Sequence, residues 1–557
     1  MTAAGTTGGP AGAGRPAIVI AATPTSNGDL HVGHMAGPYL AGDVYARYAA
    51  ATGRPVVYTT ITDDSQTYVP TTAHRLGVEP HALVADSTAR IQRTITAMGL
   101  SMTGLPPVDD RYRATVLDFF TRLHADGRLR RRTVRLPYVP SSGTYLYDGL
   151  MKGICPSCLA GSAGGVCEGC GHPNNYDELL APSATTDPDA EVTVREADIL
   201  VLPAEEYRDR LTAYYQEREG RWRPNAMRLI GELLDGPLPE IPVTVPGTWG
   251  IAAPFAETPG QILYPWVEAM PAVMYATWWA AARDGRTAAE TDAHWRAGAA
   301  PEVVYFHGFD NVYHWGFLDL VMLMAHGDRY ALPESNVVNE FYDLRGEKFS
   351  TSRGHLVWTA DLLDQVPRDL VRFYLSLTAP ETQRTDFTTE ALRAVTARRL
   401  VGPWNRLADA LRDATVAAAP GPLPVSDDGR ARAAVMAGRF RGCYDLASFS
   451  PARAAETLLT HLDRLVASLD TTTATPAATP TAASGTGDLL LEARTLLAFA
   501  APILIDAAAE ARAAGVDLSP DAPAPAAITP FVLPRLPESA RPAPAPAGAD
   551  GRAPAGV

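Results

Sequence analysis

Ala17-Ile18-Val19-Ile20-Ala21-Ala22, running through Thr23 into Pro24-Thr25-Ser26-Asn27-Gly28-Asp29-Leu30-His31-Val32-Gly33-His34, is the stretch on which the fold turns. Its first part is an unbroken apolar run, the character of a strand buried on both faces of a parallel sheet. Pro24 and Gly28 break it. Met35, Tyr39, Val44, Tyr45 and Tyr48 then recur at near-helical spacing until Gly53. A second strand, Val56-Val57-Tyr58-Thr59-Thr60-Ile61, ends at Asp63-Asp64. Strand, helix and strand within that length make a βαβ unit and imply a parallel sheet.

Outward from this unit, residues from about 110 to 246 interrupt the α/β pattern and read as an inserted domain. The pattern resumes with Gln261 to Ala281 and the strand Val303-Val304-Tyr305-Phe306-His307. A helix-rich stretch from about 362 to 512 reads as a bundle. Within it the Thr/Ala/Pro/Gly segment 471–487 reads as a flexible loop. From Pro520 onward Pro and Ala dominate, and disorder is expected.

The 557 residues exceed one ordinary core, so two to four structural units are expected. A composition of 46% hydrophobic and 20% charged residues is that of a soluble globular protein. The formal charge of −14 argues against a surface coated for nucleic acid, leaving open a local basic groove. Residues 1–16 carry no clustered positive charge, the apolar run after them is too short for a signal core, and no stretch approaches a membrane span. The expected location is cytoplasmic, with no membrane partner. Among 48 basic residues only Lys152 and Lys348 are lysine. A surviving lysine therefore draws notice where arginine serves almost everywhere else.

Where a first strand turns into a helix, unpaired N–H groups and the positive dipole end suit phosphate oxygens. His31 and His34, three apart on the first turn, face the same way. They can donate to an α-phosphate as it becomes pentacovalent, with Gly33 letting the nucleotide approach closely. Taken alone, the pair also reads as a helix cap. Far downstream, Glu347-Lys348-Phe349-Ser350-Thr351-Ser352-Arg353-Gly354 is a small polar loop able to close over a triphosphate and neutralise departing pyrophosphate. Alone, it also reads as an ordinary surface turn.

Cys155-Pro156-Ser157-Cys158 and Cys167-Glu168-Gly169-Cys170 form two CxxC pairs on a Gly-rich connection. Four thiolates at this spacing close a tetrahedral zinc site with no open position, hence a structural one. The clustering and the expected compartment disfavour disulfides. Cys443 stands apart and reads as a small buried apolar residue.

His31-Val32-Gly33-His34 resembles the first signature of class I aminoacyl-tRNA synthetases, and Lys348-Phe349-Ser350-Thr351-Ser352 resembles the second. Their order, their separation and the cysteine region between them, with Lys152-Gly153 before the first pair, look like the methionyl-tRNA synthetase family over roughly residues 15 to 510. The resemblance implies an α/β fold. A Rossmann-type parallel-sheet catalytic domain in two halves (15–110 and 247–360, with the signature loop at 347–354) would flank a connective insertion at 111–246 carrying the zinc knob at 152–172. An α-helical, anticodon-binding-like bundle (361–512) and a disordered Pro/Ala-rich tail (513–557) would follow.

It also implies an AMP-forming, ATP-dependent ligase with ATP, Mg2+ and structural Zn2+. His31, His34 and Lys348 would be catalytic. Asn27, Gly28, Gly33, Gly308, Asp310, Ser350, Thr351 and Ser352 would bind ATP. Thr23, Asp64, Trp266, Asn311 and Trp315 would bind the amino acid, with Asp64 on its ammonium. Cys155, Cys158, Cys167 and Cys170 would hold zinc.

The sequence departs from the family in places. Thr23 stands for a usual leucine, Thr25 for a tyrosine, Asn311 for an isoleucine, and Tyr313-His314-Trp315 for Tyr-Phe-His. After Ala269, the run Met270-Pro271-Ala272-Val273-Met274-Tyr275 leaves the family register. The clustering suggests an amino acid more polar than methionine, because buried Thr and Asn need hydrogen-bond partners. Thr351 replaces a second lysine, and Arg353 is the nearby charge. In the bundle, Trp404-Asn405-Arg406 keeps an arginine, Gly402 falls where an asparagine is expected, and 471–487 holds no aromatic residue to stack on a base. Two acceptors therefore stand side by side. One is tRNA. The other is a small molecule or partner enzyme, as in relatives that couple amino acids to amines in specialised-metabolite pathways.

Overall fold

In a computed structural model of the chain, describing residues 14–538 apart from 175, 350–354, 419 and 473–479, the opening apolar run forms β1 (Ala17–Ala21). Successive strand side chains point to opposite faces. Ala17, Val19 and Ala21 enter one core while Ile18 and Ile20 enter another. Burial on both sides is why the run does not alternate with polar residues.

The central sheet adds β2 (Val56–Thr59), β3 (Glu302–Gly308) and β4 (Ser335–Asn339) in the order β4-β3-β1-β2, all parallel. Chain progression reverses between β1 and β3, so their carboxyl ends flank a crevice of the kind in which open α/β sheets bind ligands. After β1 the chain enters a helical run made of Val32–His34, a π-helical turn at Met35–Tyr39 kinked at Gly37, and α1 (Leu40–Ala51). The other face of the sheet is covered by α2 (Pro265–Arg283), buried along nearly its whole length.

Between β2 and β3, Arg130–Val139 and Thr193–Pro203 pair antiparallel from Thr193↔Tyr138 to Val201↔Arg130, with Glu240–Pro242 on the far edge. The short strands Met151–Ile154, Gly161–Ala163, Gly165–Val166, Pro173–Asn174 and Leu180–Ala184 build the cysteine knob. Beyond the sheet, α3 (Arg368–Leu377), α4 (Gly402–Ala417), α5 (Asp427–Tyr444), α6 (Pro451–Thr472), α7 (Pro480–Ala500) and α8 (Ile505–Ala513) pack as helices sharing a core with one face of the sheet. Among the described residues no helix is long and apolar enough to cross a membrane.

Two expectations are corrected. The segment 471–487 is not simply a loop, because α7 begins at Pro480; residues 473–479 lie outside the described ones. Gly487 lies so close to the chain that a Cβ there would fall 2.1 Å from the Pro424 carbonyl oxygen, a contact only glycine permits. The tail expected to be disordered from 513 is ordered as far as 538. Leu518, Ile528, Leu533 and Leu536 are buried against the bundle, and Ile528 pairs with Leu423. The Trp404 indole N–H donates to the Pro534 carbonyl (2.7 Å), and Asn405 bonds Leu536 through both its amide groups (3.0 and 2.8 Å). Proline lowers the entropy lost on ordering, so a Pro-rich segment with spaced leucines can dock. Residues 539–557 lie outside the described ones.

Asp43 on α1 and Arg372 on α3 form an ion pair (2.6 Å) with both side chains fully buried. Arg372 also donates to the carbonyls of Ile503 (3.0 Å), Pro502 (2.7 Å) and Met98 (3.3 Å). Asp43 accepts from Ser101 N and Oγ (2.6 Å each) and from Arg47 (2.8 Å). Arg372→Met leaves Asp43 buried without its main counter-charge. The expected outcome is a loss of about 3–5 kcal/mol in unfolding free energy, largely recovered when Asp43→Leu is added, as measured by thermal and urea unfolding.

Candidate active site and metal centre

At the end of β1 the chain turns through residues 22–30. Asp29 fixes this turn, its carboxylate accepting from the Leu30 N–H (2.7 Å) and from the Thr94 hydroxyl (2.8 and 2.9 Å). His31 then caps the helix. His31 Nδ1 accepts from the His34 backbone N–H and His34 Nδ1 from the His31 N–H, both at 3.3 Å. This reciprocal capping leaves the rings stacked with centroids 3.6 Å apart and 14° between planes. Phe349 stacks in turn on His31 (4.9 Å, 16°). A Cβ at Gly33 would sit 3.0 Å from His31 ring atoms and 3.3 Å from Phe349, so a larger residue would press on this stack. The cap reading and the phosphate reading of the pair are thus compatible in one geometry.

Phe349 brings the downstream loop to the histidines. Lys348 lies in the strand Glu347–Lys348, paired to Asp343. Ser350, Thr351 and Ser352, with Arg353, lie outside the described residues. Past them the chain returns: the Val32 N–H donates to the Val357 carbonyl (2.9 Å) and the Thr359 N–H to the Leu30 carbonyl (3.2 Å).

Across the crevice, Gly308 ends β3 where a Cβ would fall 2.5 Å from Asp310 Oδ1. Asp310 accepts from the Asn311 amide (3.3 Å). Thr23 and Gly28 are half-buried at the β1 turn, and the Asn27 amide faces the Thr72 hydroxyl (3.5 Å). The Asp64 carbonyl accepts from the Trp249 indole (2.9 Å), while its carboxylate Oδ1 is buried without a partner. Burial raises the Asp64 pKa, opposed by the hydroxyls of Ser26 and Thr62. Trp266, on the first turn of α2, stacks on His314 (3.6 Å, 9°). Trp315 packs edge-on against Tyr305 (5.0 Å) inside the core. The ring lying on Trp266 is therefore the one before it.

Several groups escaped the sequence reading. Glu268 on α2 is 2% exposed and accepts from the Tyr112 hydroxyl; an acid inside an otherwise apolar helix is the signal. Asp148 is 1% exposed, accepts from Tyr264 (2.7 Å) and holds a left-handed backbone (φ 45°), a strain met often at functional sites. Burial drives both carboxyls up to about 7, against the hydrogen bonds from Tyr112 and Tyr264 respectively. Burial also pushes Asp63 well above the carboxylate range and takes His314 down to about 3, keeping it neutral.

The four cysteines gather with Sγ atoms within 4.8 Å of one another, including pairs at 3.8 Å (Cys155–Cys170) and 3.6 Å (Cys158–Cys167). A tetrahedron with metal–sulfur bonds of about 2.3 Å has edges of about 3.8 Å, so the set fits a zinc-sized ion. Backbone N–H groups within each CxxC turn (Ser157 and Cys158, Gly169 and Cys170) point at the first sulfur of that turn; the Cys155 thiol pKa is lowered overall, whereas burial outweighs these bonds at Cys167 and raises it. No open ligand position remains.

The model of the family described as tRNA synthetases class I (M) matches residues 17–409. The chain belongs to that family. The methionine–tRNA ligase of Christiangramia forsetii is 31% identical over 389 residues, covering 69% of this chain and 55% of its own length. That of Roseiflexus sp. (strain RS-1) is 29% identical over 413 residues, covering 70% and 67%. The chain thus spans about half the length of the first of these relatives. Among solved structures, Mycobacterium tuberculosis methionyl-tRNA synthetase bound by methionyl-adenylate aligns with a TM-score of 0.71 at 18% identity, covering 94% of this chain and 99% of that one. At that identity the likeness speaks to fold.

Two outcomes are expected. Cys155→Ser lowers metal content from about one zinc per chain to a small fraction of that, measured by elemental analysis. Because the folded Asp148 keeps its proton to about 7 and the unfolded one loses it near 3.8, the folded state binds more protons between those values. Stability from this group is present below the unfolded value and is lost as pH rises through about 7. Asp148→Asn, which stays neutral, should gain on the parent chain between pH 5 and pH 8 by a few kcal/mol in unfolding free energy.

Proposed function

We propose that this chain is an ATP-dependent, AMP-forming ligase that activates an amino acid as its adenylate, releases pyrophosphate, and transfers the aminoacyl group to the 3′ end of a tRNA. The observation that carries the reading is the stacked His31–His34 pair at the helix start beside the β1/β3 crevice, touched by Phe349 from the second signature. The amino-acid carboxylate, already ionised, attacks the α-phosphate in line and needs no general base. The two imidazoles and the helix N–H groups stabilise charge on the pentacovalent phosphorus. Asn27, Gly28, Gly33, Gly308 and Asp310 form the nucleotide side, and Lys348 with Ser350, Thr351 and Ser352 meets the departing pyrophosphate, whose charge a Mg2+ ion bound with ATP would help to neutralise.

Asp64 takes the α-ammonium, while Thr23, Trp266 and Asn311 bound the side chain, with His314 on Trp266 in the place expected of Trp315. Cys155, Cys158, Cys167 and Cys170 would hold a zinc ion that shapes the knob and stays outside the chemistry. The domains follow the boundaries drawn from the sequence, except that the tail to 538 belongs to the bundle.

A second reading of the acceptor rests on the bundle. The last tryptophan of the chain, Trp404, is fully buried with its N–H on Pro534, and 471–487 holds no aromatic residue. Without a base-stacking platform there, a small-molecule acceptor or partner enzyme competes with tRNA.

His34→Ala is expected to lower ATP–pyrophosphate exchange by two or more decades, about 3 kcal/mol of transition-state stabilisation; a near-normal rate refutes the role. Aminoacylation of bulk tRNA, assayed with the activated amino acid, separates the two acceptors.

A further inference from the structure

The helical run after β1 is broken in its middle. The turn carrying the two histidines ends at His34, a π-helical turn follows at Met35–Tyr39, and α1 begins at Leu40. Inside the π-helical turn Gly37 leaves helical geometry (φ −90°, ψ −113°), and Pro38 has no N–H to give to the ladder. A π turn set into a helix is frequent at functional sites. The two sides of the break are held by different partners. α1 is fixed by the Asp43–Arg372 ion pair. The histidine turn is held by the Val32 N–H on the Val357 carbonyl (2.9 Å) and by Asp29 on the Leu30 N–H (2.7 Å). Helix continuity therefore does not by itself set the spacing between the histidine pair and the end of β1.

The strand ends supply that spacing, and they converge on the π-helical turn. The Tyr39 hydroxyl donates to the Ala22 carbonyl (2.9 Å), just past β1 and just before Thr23. The Thr60 hydroxyl, just past β2, donates to the Ala21 carbonyl (2.9 Å) and reaches that of Ala22 (3.3 Å). From β2 the Tyr58 hydroxyl donates to the Tyr39 carbonyl (2.5 Å), so Tyr39 is tied through both side chain and main chain. From the end of β4, Asn339 packs against Gly37, where a Cβ would fall 2.5 Å from its amide nitrogen. Tyr39 is 2% exposed. A buried tyrosine usually finds an acceptor, as Tyr214 does in the Pro333 carbonyl (2.7 Å). Tyr39 differs in what it joins. Its hydroxyl sits on the run that carries the histidines, and its acceptor is the carbonyl from which the site turn departs.

We propose that Tyr39 is a positioning residue for adenylation: through the Ala22 carbonyl, its hydroxyl fixes the gap between the β1 turn on the amino-acid side and the His31–His34 pair on the phosphate side. This rests on the amino-acid-activating reading above and adds a residue to it. In-line attack needs reacting atoms about 3–3.5 Å apart, and a misplacement of about 1 Å can cost two decades in rate. Buried behind the turn, Tyr39 acts on the approach of the two substrates and not on the contacts each one makes.

The test is ATP–pyrophosphate exchange by the full chain with the amino acid it activates. Tyr39→Phe removes one oxygen and keeps the ring; Tyr214→Phe removes a like tyrosine–carbonyl bond elsewhere and serves as the matched control. Tyr39→Phe should lower kcat about tenfold with KM for ATP and amino acid within about threefold of the parent, while Tyr214→Phe keeps kcat within about twofold. Thr60→Val, which strips the other hydroxyl from the same carbonyls, should also lower kcat, and it carries the test should Tyr39→Phe fail to fold. Hydrogen–deuterium exchange is read alongside on peptides from 22–34, where uptake should quicken about threefold in Tyr39→Phe and stay at the parent rate in Tyr214→Phe. A kcat unchanged in Tyr39→Phe, or equal losses in Tyr39→Phe and Tyr214→Phe, overturns the inference and leaves the adenylation reading standing. If the parent exchanges pyrophosphate with no amino acid, the adenylation reading fails and deuterium uptake decides. Selective quickening in Tyr39→Phe then keeps Tyr39 as the residue that positions the turn, and unchanged uptake removes it.

Discussion

Everything the histidine pair does depends on where α1 is held, and α1 is held by the Asp43–Arg372 ion pair. A guanidinium in the interior is tolerable only when its donors are used. Here they reach Asp43 and the carbonyls of Met98, Pro502 and Ile503. Those partners lie on α1, in the region after the first βαβ unit, and in the α7–α8 connection. One side chain therefore ties the helical run that begins at His31 to the helices beyond the sheet.

The crevice is built on the opposite principle. Where the clasp satisfies each donor, the acidic group around Asp63 leaves one oxygen each of Asp64, Asp148 and Glu268 without a partner. A buried acceptor without a partner is a cost the folded chain carries until something donates to it. Of the sequence departures, Thr25 lies beside this cluster, bridged to Asp63.

How much of this is legible in the sequence varies with range. β1 and the helical run can be read because a doubly buried strand and a capped helix are local patterns. The cysteines can be read because spacing alone brings their sulfurs together. The carboxylate group is not legible, because Asp63, Asp148 and Glu268 come from three distant segments and meet only through tertiary packing. His314 and Trp315 are neighbours in sequence, and a π-helical turn decides which ring meets Trp266. The segments 480–487 and 513–538 mislead for another reason. Their Ala, Pro and Thr content resembles that of unstructured chain, whereas a few spaced leucines, one glycine contact and two side-chain amide bonds are enough to seat them.

The strap formed by residues 527–538 has a consequence for the birth of the molecule. Trp404 finds its hydrogen-bond acceptor 130 positions later, and Asn405 finds its partner 131 positions later. At about 5–20 residues per second, roughly 6 to 26 s of synthesis separate them. During that interval the bundle stands with an uncovered indole and leucine-lined groove, the kind of surface to which holdase chaperones bind. Completion of the helical half is thus timed by the arrival of Leu533 and Leu536.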